Sequence, residues 1–122
     1  MAVPILKQGP FLIASIQAAL TDTDVIRLQE DVMQQVGRFR SRGIIVDVTA
    51  LDVMDSFVSR SLQGIAMMTR LRGALTVIVG IQPDVAFAMV QLGTSLENVQ
   101  TALDLEEGLA LLQARKLSVG GL

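Results

Sequence analysis

The sequence predicts an α/β domain with a mixed, mostly parallel β-sheet that opens with a β-hairpin. Two apolar runs near the start are separated by a turn-like stretch, and buried β-branched runs recur at 44–48 and 75–79. Segments with helical spacing of apolar residues follow these strands. Strands that alternate with helices favour a parallel sheet with right-handed crossovers. We therefore expect one domain over residues 1–122, with about four helices and a frayed tail at 118–122.

The opening hairpin is predicted from two short apolar stretches. Val3 to Leu6 forms the first, and Phe11 to Ile16 forms the second. Lys7-Gln8-Gly9-Pro10 lies between them and has the composition of a turn.

A first helix is predicted after the hairpin. Thr21-Asp22-Thr23-Asp24 offers N-cap residues and places acids at the positive helix end. The helix should end near Gly43, and Arg27, Glu30, Asp31 and Arg38 fall off its apolar stripe onto a solvated face. The stripe consists of Val25, Leu28, Val32, Val36 and Phe39.

The centre of the chain is a strand-to-helix turn. Ile44 to Val48 is nearly continuous in apolar residues, as expected of a strand covered on both faces, and Asp47 is its exception. Asp55 and Ser56 should open the next helix, which runs to about Gly73. Its buried stripe should be Val58, Leu62, Ile65 and Thr69, with Phe57, Met68 and Leu71 beside it.

Four more elements follow the central helix. Leu75 to Val79 should be another buried strand, and a short helix should run from Pro83 to about Leu92. Leu96 to Thr101 could hold a brief edge strand. A last helix should extend from Leu105 to about Leu117, with its stripe at Leu105, Leu109 and Leu112.

Composition excludes several classes of function. The chain has no Cys and no His, which removes disulfides, thiolate chemistry and the commonest general base. A net charge of −2 leaves no basic face for nucleic acid. No apolar run approaches the length of a membrane span, so we expect a cytoplasmic protein. The apolar fraction of 51% suggests that like or related subunits cover part of its surface.

Acidic residues crowd the central turn. Asp47, Asp52 and Asp55 could suggest a metal site or an acceptor aspartate. The alternative is that these carboxylates form the turn and cap the helix, and this is the interpretation that the sequence favours. No Gly-rich phosphate loop is present, and no base is placed beside a serine. We therefore predict no catalytic site, no cofactor and no metal.

Three hydroxyls lie at the head of the central helix, on Ser56, Ser59 and Ser61. A helix N-terminus has unpaired N–H groups and a positive dipole, and these would favour a phosphate on Ser56. They would also favour a plain N-cap by Ser56 or Asp55. The residues alone leave both possibilities open, with the cap preferred.

Several segments together resemble the STAS-domain family, and within it the single-domain scaffold branch found in stressosomes. The similarity covers nearly the whole chain. The segments are Pro4-Ile5-Leu6-Lys7, Ser15-Ile16-Gln17, Ile45-Val46-Asp47-Val48-Thr49, Met54-Asp55-Ser56-Phe57, Gly80-Ile81-Gln82-Pro83 and Thr101-Ala102-Leu103-Asp104-Leu105-Glu106-Glu107-Gly108-Leu109.

The resemblance implies a regulatory scaffold that is not an enzyme. By family pattern Ser56 would be phosphorylated, with Ser59 as the second candidate, and Asp52, Asp55, Ser56 and Phe57 would form the kinase-binding surface. The implied partners are an RsbT-type serine kinase that the scaffold holds until phosphorylation, RsbR-type STAS paralogues that share a large assembly, and an RsbX-type phosphatase.

Two other functions stay open at this point. The first is an anti-sigma-factor antagonist that acts by partner switching. In those relatives the motif continues Asp-Ser-Ser/Thr-Gly, whereas this chain has Phe57 and Val58, which favours the stressosome branch. The second is a binder of a small apolar ligand in the aliphatic interior.

Overall fold

A computed structural model describes residues 3–94, 96 and 99–120, with the backbone alone for 116–120. Five strands and four α-helices follow one another along these residues, as predicted. They are β1 (Ile5–Gln8), β2 (Phe11–Ser15), α1 (Asp22–Phe39), β3 (Gly43–Asp47), α2 (Ser56–Leu71), β4 (Leu75–Val79), α3 (Pro83–Gln91), β5 (Gln100–Ala102) and α4 (Leu105–Gly120).

The strands form one sheet in the order β1-β2-β3-β4-β5. β1 pairs with β2 antiparallel, which confirms the opening hairpin, and the other pairs are parallel. The carboxyl ends of β2 to β5 therefore meet at one edge, and α1 to α4 each begin there. The turn that leads into α2 lies at this edge.

Alternation along the strands divides the core between the two faces of the sheet. Ile44 and Val46 belong to the cluster covered by α1, α2 and α3, whereas Ile45 belongs to the cluster covered by α4. All three are fully buried, as predicted for a central strand. Gly108 lets α4 approach the sheet, because a Cβ there would lie 2.7 Å from Val79 Cγ1.

The buried stripe of α2 is confirmed, and that of α1 is confirmed except at Phe39, which is half-buried. Val25, Leu28, Val32 and Val36 are buried on α1, and Thr21 caps it. Its end was predicted wrongly, because Arg40 rather than a glycine takes the left-handed cap with φ 51°. Gly43 is already the first residue of β3. On α2 the buried residues are Val58, Ser59, Leu62, Ile65 and Thr69.

Other boundaries and faces differ from the prediction. Lys7 and Gln8 belong to β1, because they pair with Leu12 and Phe11 and leave Gly9-Pro10 as the turn. Leu71 is 88% exposed at the end of α2. Phe57 is 37% exposed, so neither side chain completes the buried stripe.

Two elements in the last third of the chain have bounds that differ from the predicted ones. The edge strand is β5 at Gln100–Ala102, and residues 95, 97 and 98 of the neighbouring stretch lie outside the described residues. α4 continues to Gly120, beyond the predicted end near Leu117. Residues 121 and 122 of the tail that we expect to fray lie outside the described part.

Candidate functional site

The turn between β3 and α2 is built on Asp47. Its Oδ1 accepts hydrogen bonds from the Thr49 backbone N–H at 2.9 Å and from the Thr49 hydroxyl at 2.6 Å. Val48 donates its N–H to the Val79 carbonyl, so the turn starts from a residue still bonded to β4. This carboxylate therefore forms the turn, as the sequence interpretation favoured.

Two buried side chains hold the rest of the turn against the core. Leu51 and Met54 are each 4% exposed, whereas Asp52 and Val53 between them point to solvent. The Leu51 N–H also donates to the Val48 carbonyl at 2.9 Å. The turn is thus anchored on both sides of its exposed tip.

The loop after β4 supports the same turn from the side. The Gln82 side-chain amide donates to the Thr49 carbonyl. Gly80 has φ +82°, and a Cβ on it would overlap the Thr49 hydroxyl and lie 3.2 Å from Asp47 Oδ1. Only glycine fits this position, because both the backbone angle and the space exclude a side chain.

Asp55, not Ser56, is the N-cap of α2. Its Oδ1 accepts from the Val58 N–H at 2.8 Å, and its carbonyl accepts from the Ser59 N–H. Ser56 is the first helical residue, and its backbone N–H and that of Phe57 have no acceptor within the helix. The predicted plain cap is therefore confirmed at Asp55, and the Ser56 hydroxyl takes no part in it.

The three serines of this helix differ in access. Ser56 is exposed, and its hydroxyl makes no hydrogen bond with the described part of the chain. Ser59 is 1% exposed, and its Oγ is buried without a hydrogen-bond partner among the described residues. Ser61 is half-buried and donates to the Phe57 carbonyl at 2.8 Å. Of these three serines, Ser56 alone therefore presents a free, accessible hydroxyl at the N-terminus of α2.

The residues predicted for kinase binding come from one short stretch, 52–57, and are open to solvent. Asp52, Asp55, Ser56 and Phe57 are all exposed. Val53 is 70% exposed, so apolar and acidic side chains alternate around the serine. The assignment of these residues to kinase binding, and of Ser56 to phosphorylation, stays a prediction.

Sequence reasoning missed one cation and two supports of this site. Arg60 donates from Nε to the Ser56 carbonyl at 3.3 Å, which brings a positive charge one turn below the hydroxyl. Its spacing of four residues from Ser56 is a signal that could have identified it. The roles of Thr49 and Gln82 depend on a contact between distant segments, for which the sequence has no local signal.

Among the residues that the structure describes, no three His, Cys, Asp or Glu side chains are grouped to hold a metal ion. None of the helices in the described ranges is long and apolar enough to cross a membrane.

Comparison with known proteins gives a consistent match. The family model described as the STAS domain matches residues 2–108. A serine-to-glutamate variant of RsbS from Moorella thermoacetica is 34% identical, with a TM-score of 0.79 over 93% of this chain and 97% of that one. A chain in the molecular architecture of the stressosome, a signal integration and transduction hub, is also 34% identical, with a TM-score of 0.78 over 93% and 98%.

A curated relative is longer than this chain. The RsbT co-antagonist protein RsbRA of Bacillus subtilis strain 168 is 31% identical over 83 residues, which are 68% of this chain and 30% of that protein. The chain spans about 30% of the length of the curated co-antagonists that it matches.

Proposed function

Since the chain belongs to the STAS-domain family, we propose that it is a non-enzymatic stressosome scaffold that holds an RsbT-type serine kinase and releases it when Ser56 is phosphorylated. The observation that carries this proposal is the exposed, unbonded Ser56 hydroxyl at the first position of α2. The match to RsbS along nearly the full length of both chains supports the same class of protein.

The site accepts a phosphate without rearrangement of the fold. The Ser56 and Phe57 N–H groups lie at the positive end of α2, and a helix end stabilises a nearby anion by about 0.3–1 kcal/mol. Arg60 adds a cation one turn away. Asp55 opposes the phosphate, because its carboxylate already occupies the Val58 N–H beside the same hydroxyl.

The phosphate would act mainly on a docked partner. It adds about −1.5 to −2 charges at neutral pH, next to the exposed Asp52 and Asp55. A kinase seated on Val53 and Phe57 would have to desolvate this charge, which weakens the contact. The expected coupling is about 1–3 kcal/mol, the usual range for regulatory switches.

The proposed partners are inferred from the proteins that this chain resembles. We place the chain in a cytoplasmic assembly with RsbR-type paralogues, since three curated relatives are RsbT co-antagonists and a matching chain comes from a stressosome structure. An RsbX-type phosphatase would return Ser56 to its free form.

The test is retention of an RsbT-type serine kinase on the assembled protein, with and without ATP. Wild type and Ser61→Ala should release the kinase on addition of ATP, and Ser56→Ala should retain it. Ser56→Asp should release only part of it, because Asp carries less charge than phosphoserine. Equal release from Ser56→Ala and wild type would disprove the switch.

Phosphopeptide mapping of the same samples identifies the residue. Phosphate on Ser56 is the expected result. Phosphate on Ser59 would overturn the residue assignment, and it would also require α2 to open, because that side chain is buried.

A further inference from the structure

We infer that a cleft at the opposite end of the sheet from Ser56 binds a phosphate-class oxyanion, such as pyrophosphate, through three arginines. Arg40, Arg42 and Arg72 line this cleft, which has a volume of about 400 Å³. The cleft lies where α1 and α2 end and where β3 and β4 begin. It shares no residue with the turn around Ser56, so the inference is independent of the proposed function.

The charge of the cleft is not balanced by its own chain segments. The stretches 32–46 and 56–83, which contain its lining residues, hold no Asp or Glu. The ends of α1 and α2 contribute about half a negative charge each, which is less than the three positive charges of the guanidinium groups. A cleft of this kind attracts anions, and guanidinium groups match phosphate oxygens in pairs.

Helix capping alone does not account for these arginines. Cations are favoured in the last turn of a helix, and Arg38 on α1 and Arg70 on α2 already hold those positions. Arg40 and Arg72 follow as the cap residues. Arg40 is, among the described residues, the only non-glycine residue with a positive φ, at 51°. A left-handed position at the end of a helix is usually occupied by Gly or Asn, whereas in α1 it is occupied by a positively charged arginine.

The backbone that carries the arginines is fixed. Ser41 is buried, and its N–H donates to the Val36 carbonyl at 3.2 Å. The Arg42 N–H donates to the Pro10 carbonyl at 2.8 Å, and the Arg42 carbonyl accepts from the Leu75 N–H. The backbone of Arg40 and Arg42, which carries two of the three guanidinium groups, is therefore held in place at the edge of the sheet.

The third guanidinium is held against α1. Arg72 donates from Nη1 to the Met33 carbonyl at 3.2 Å, which leaves its other N–H groups for a ligand. Gly37 makes room for it, because a Cβ there would lie 2.8 Å from Arg72 Nη2. The group is thus placed in advance, which lowers the entropy cost of binding.

Titration of the full chain with sodium pyrophosphate, by calorimetry at an ionic strength held constant with sodium chloride, tests this inference. Wild type should bind saturably, and Arg72→Gln should raise the Kd about tenfold or more, the scale for loss of a charge-assisted pair. Arg27→Gln makes the same charge change on an exposed face of α1 and should leave the Kd unchanged. Orthophosphate should bind the same residues more weakly.

Gly37→Ala provides a second variant that keeps every charge. Alanine favours the helix and displaces only the end of a flexible side chain, so the domain should fold while the Kd for pyrophosphate rises. Gly64→Ala raises helix propensity equally, on α2, and its new Cβ would make only an ordinary van der Waals contact with Gln29. This variant should bind pyrophosphate with the Kd of wild type. Absence of saturable binding by wild type, or equal loss in Arg27→Gln and Arg72→Gln, would overturn the inference.

Discussion

The Gln82 side-chain amide donates a hydrogen bond to the Thr49 carbonyl across 33 residues of sequence. It joins the loop after β4 to the turn that precedes α2. Gly80 lies in the same loop and fits against the Thr49 hydroxyl. The turn that leads to Ser56 is therefore supported by a loop from a distant part of the sequence.

Gly80→Ala should disturb this arrangement. The left-handed backbone costs about 1–2 kcal/mol for a residue with a Cβ, and the overlap with Thr49 adds to it. Gly93→Ala is the matched control, because its φ of +70° is similar and nothing lies within 4 Å. Urea unfolding should show the larger loss of stability for Gly80→Ala, together with slower phosphorylation. Equal losses in the two variants would show that the contact with Thr49 has no effect.

Asp55→Ala should lower the free energy of unfolding by about 1 kcal/mol, because the Val58 N–H loses its capping partner. Asp55→Asn keeps an equally good capping oxygen without the charge and should retain most of that stability. Thermal unfolding of both variants measures the difference. If Asn were as destabilising as Ala, the charge rather than the cap would stabilise the helix start.

Ser59→Ala should raise the free energy of unfolding by about 1 kcal/mol, because it removes a buried hydroxyl with no partner among the described residues and improves helix propensity. Ser61→Ala changes propensity equally but removes a hydroxyl that is bonded to the Phe57 carbonyl, so its gain should be smaller. Chemical denaturation compares them. A loss of stability in Ser59→Ala would mean that its hydroxyl is satisfied in solution.

Phe57→Ala should weaken kinase retention about tenfold or more if this side chain is an anchor of the docked surface. The fold should tolerate the change, because Phe57 is 37% exposed. Phe87→Ala truncates another exposed phenylalanine, on α3, and should leave kinase affinity unchanged. Binding of the kinase to each unphosphorylated variant gives the comparison, and equal affinities would place the contact elsewhere.

Periodicity predicted most of the fold. The stripes of α1 and α2 depend on local spacing, and burial follows from it. The strand predicted over residues 44–48 is found one residue earlier, at Gly43–Asp47. Errors occurred where tertiary contacts decide. Lys7 extends β1 because it pairs with Leu12, and Arg40 ends α1 in a conformation that composition would assign to glycine.

The site was predictable in part for the same reason. Asp55 and Ser56 at a helix start follow from capping preferences, although these could not decide which of the two caps the helix. The burial of Ser59 follows from its place beside the apolar stripe. The link between Gln82 and Thr49 required the register of β3 against β4, which no local pattern specifies.

The central position of β3 also sets how long the site keeps its shape. Ile44, Ile45 and Val46 are bonded between β2 and β4 and shielded from water on both faces, so their amides should exchange with solvent only when the whole domain opens. Asp47 is the last residue of that strand. The turn that presents Ser56 thus starts from a strand that we expect to open only with the whole domain.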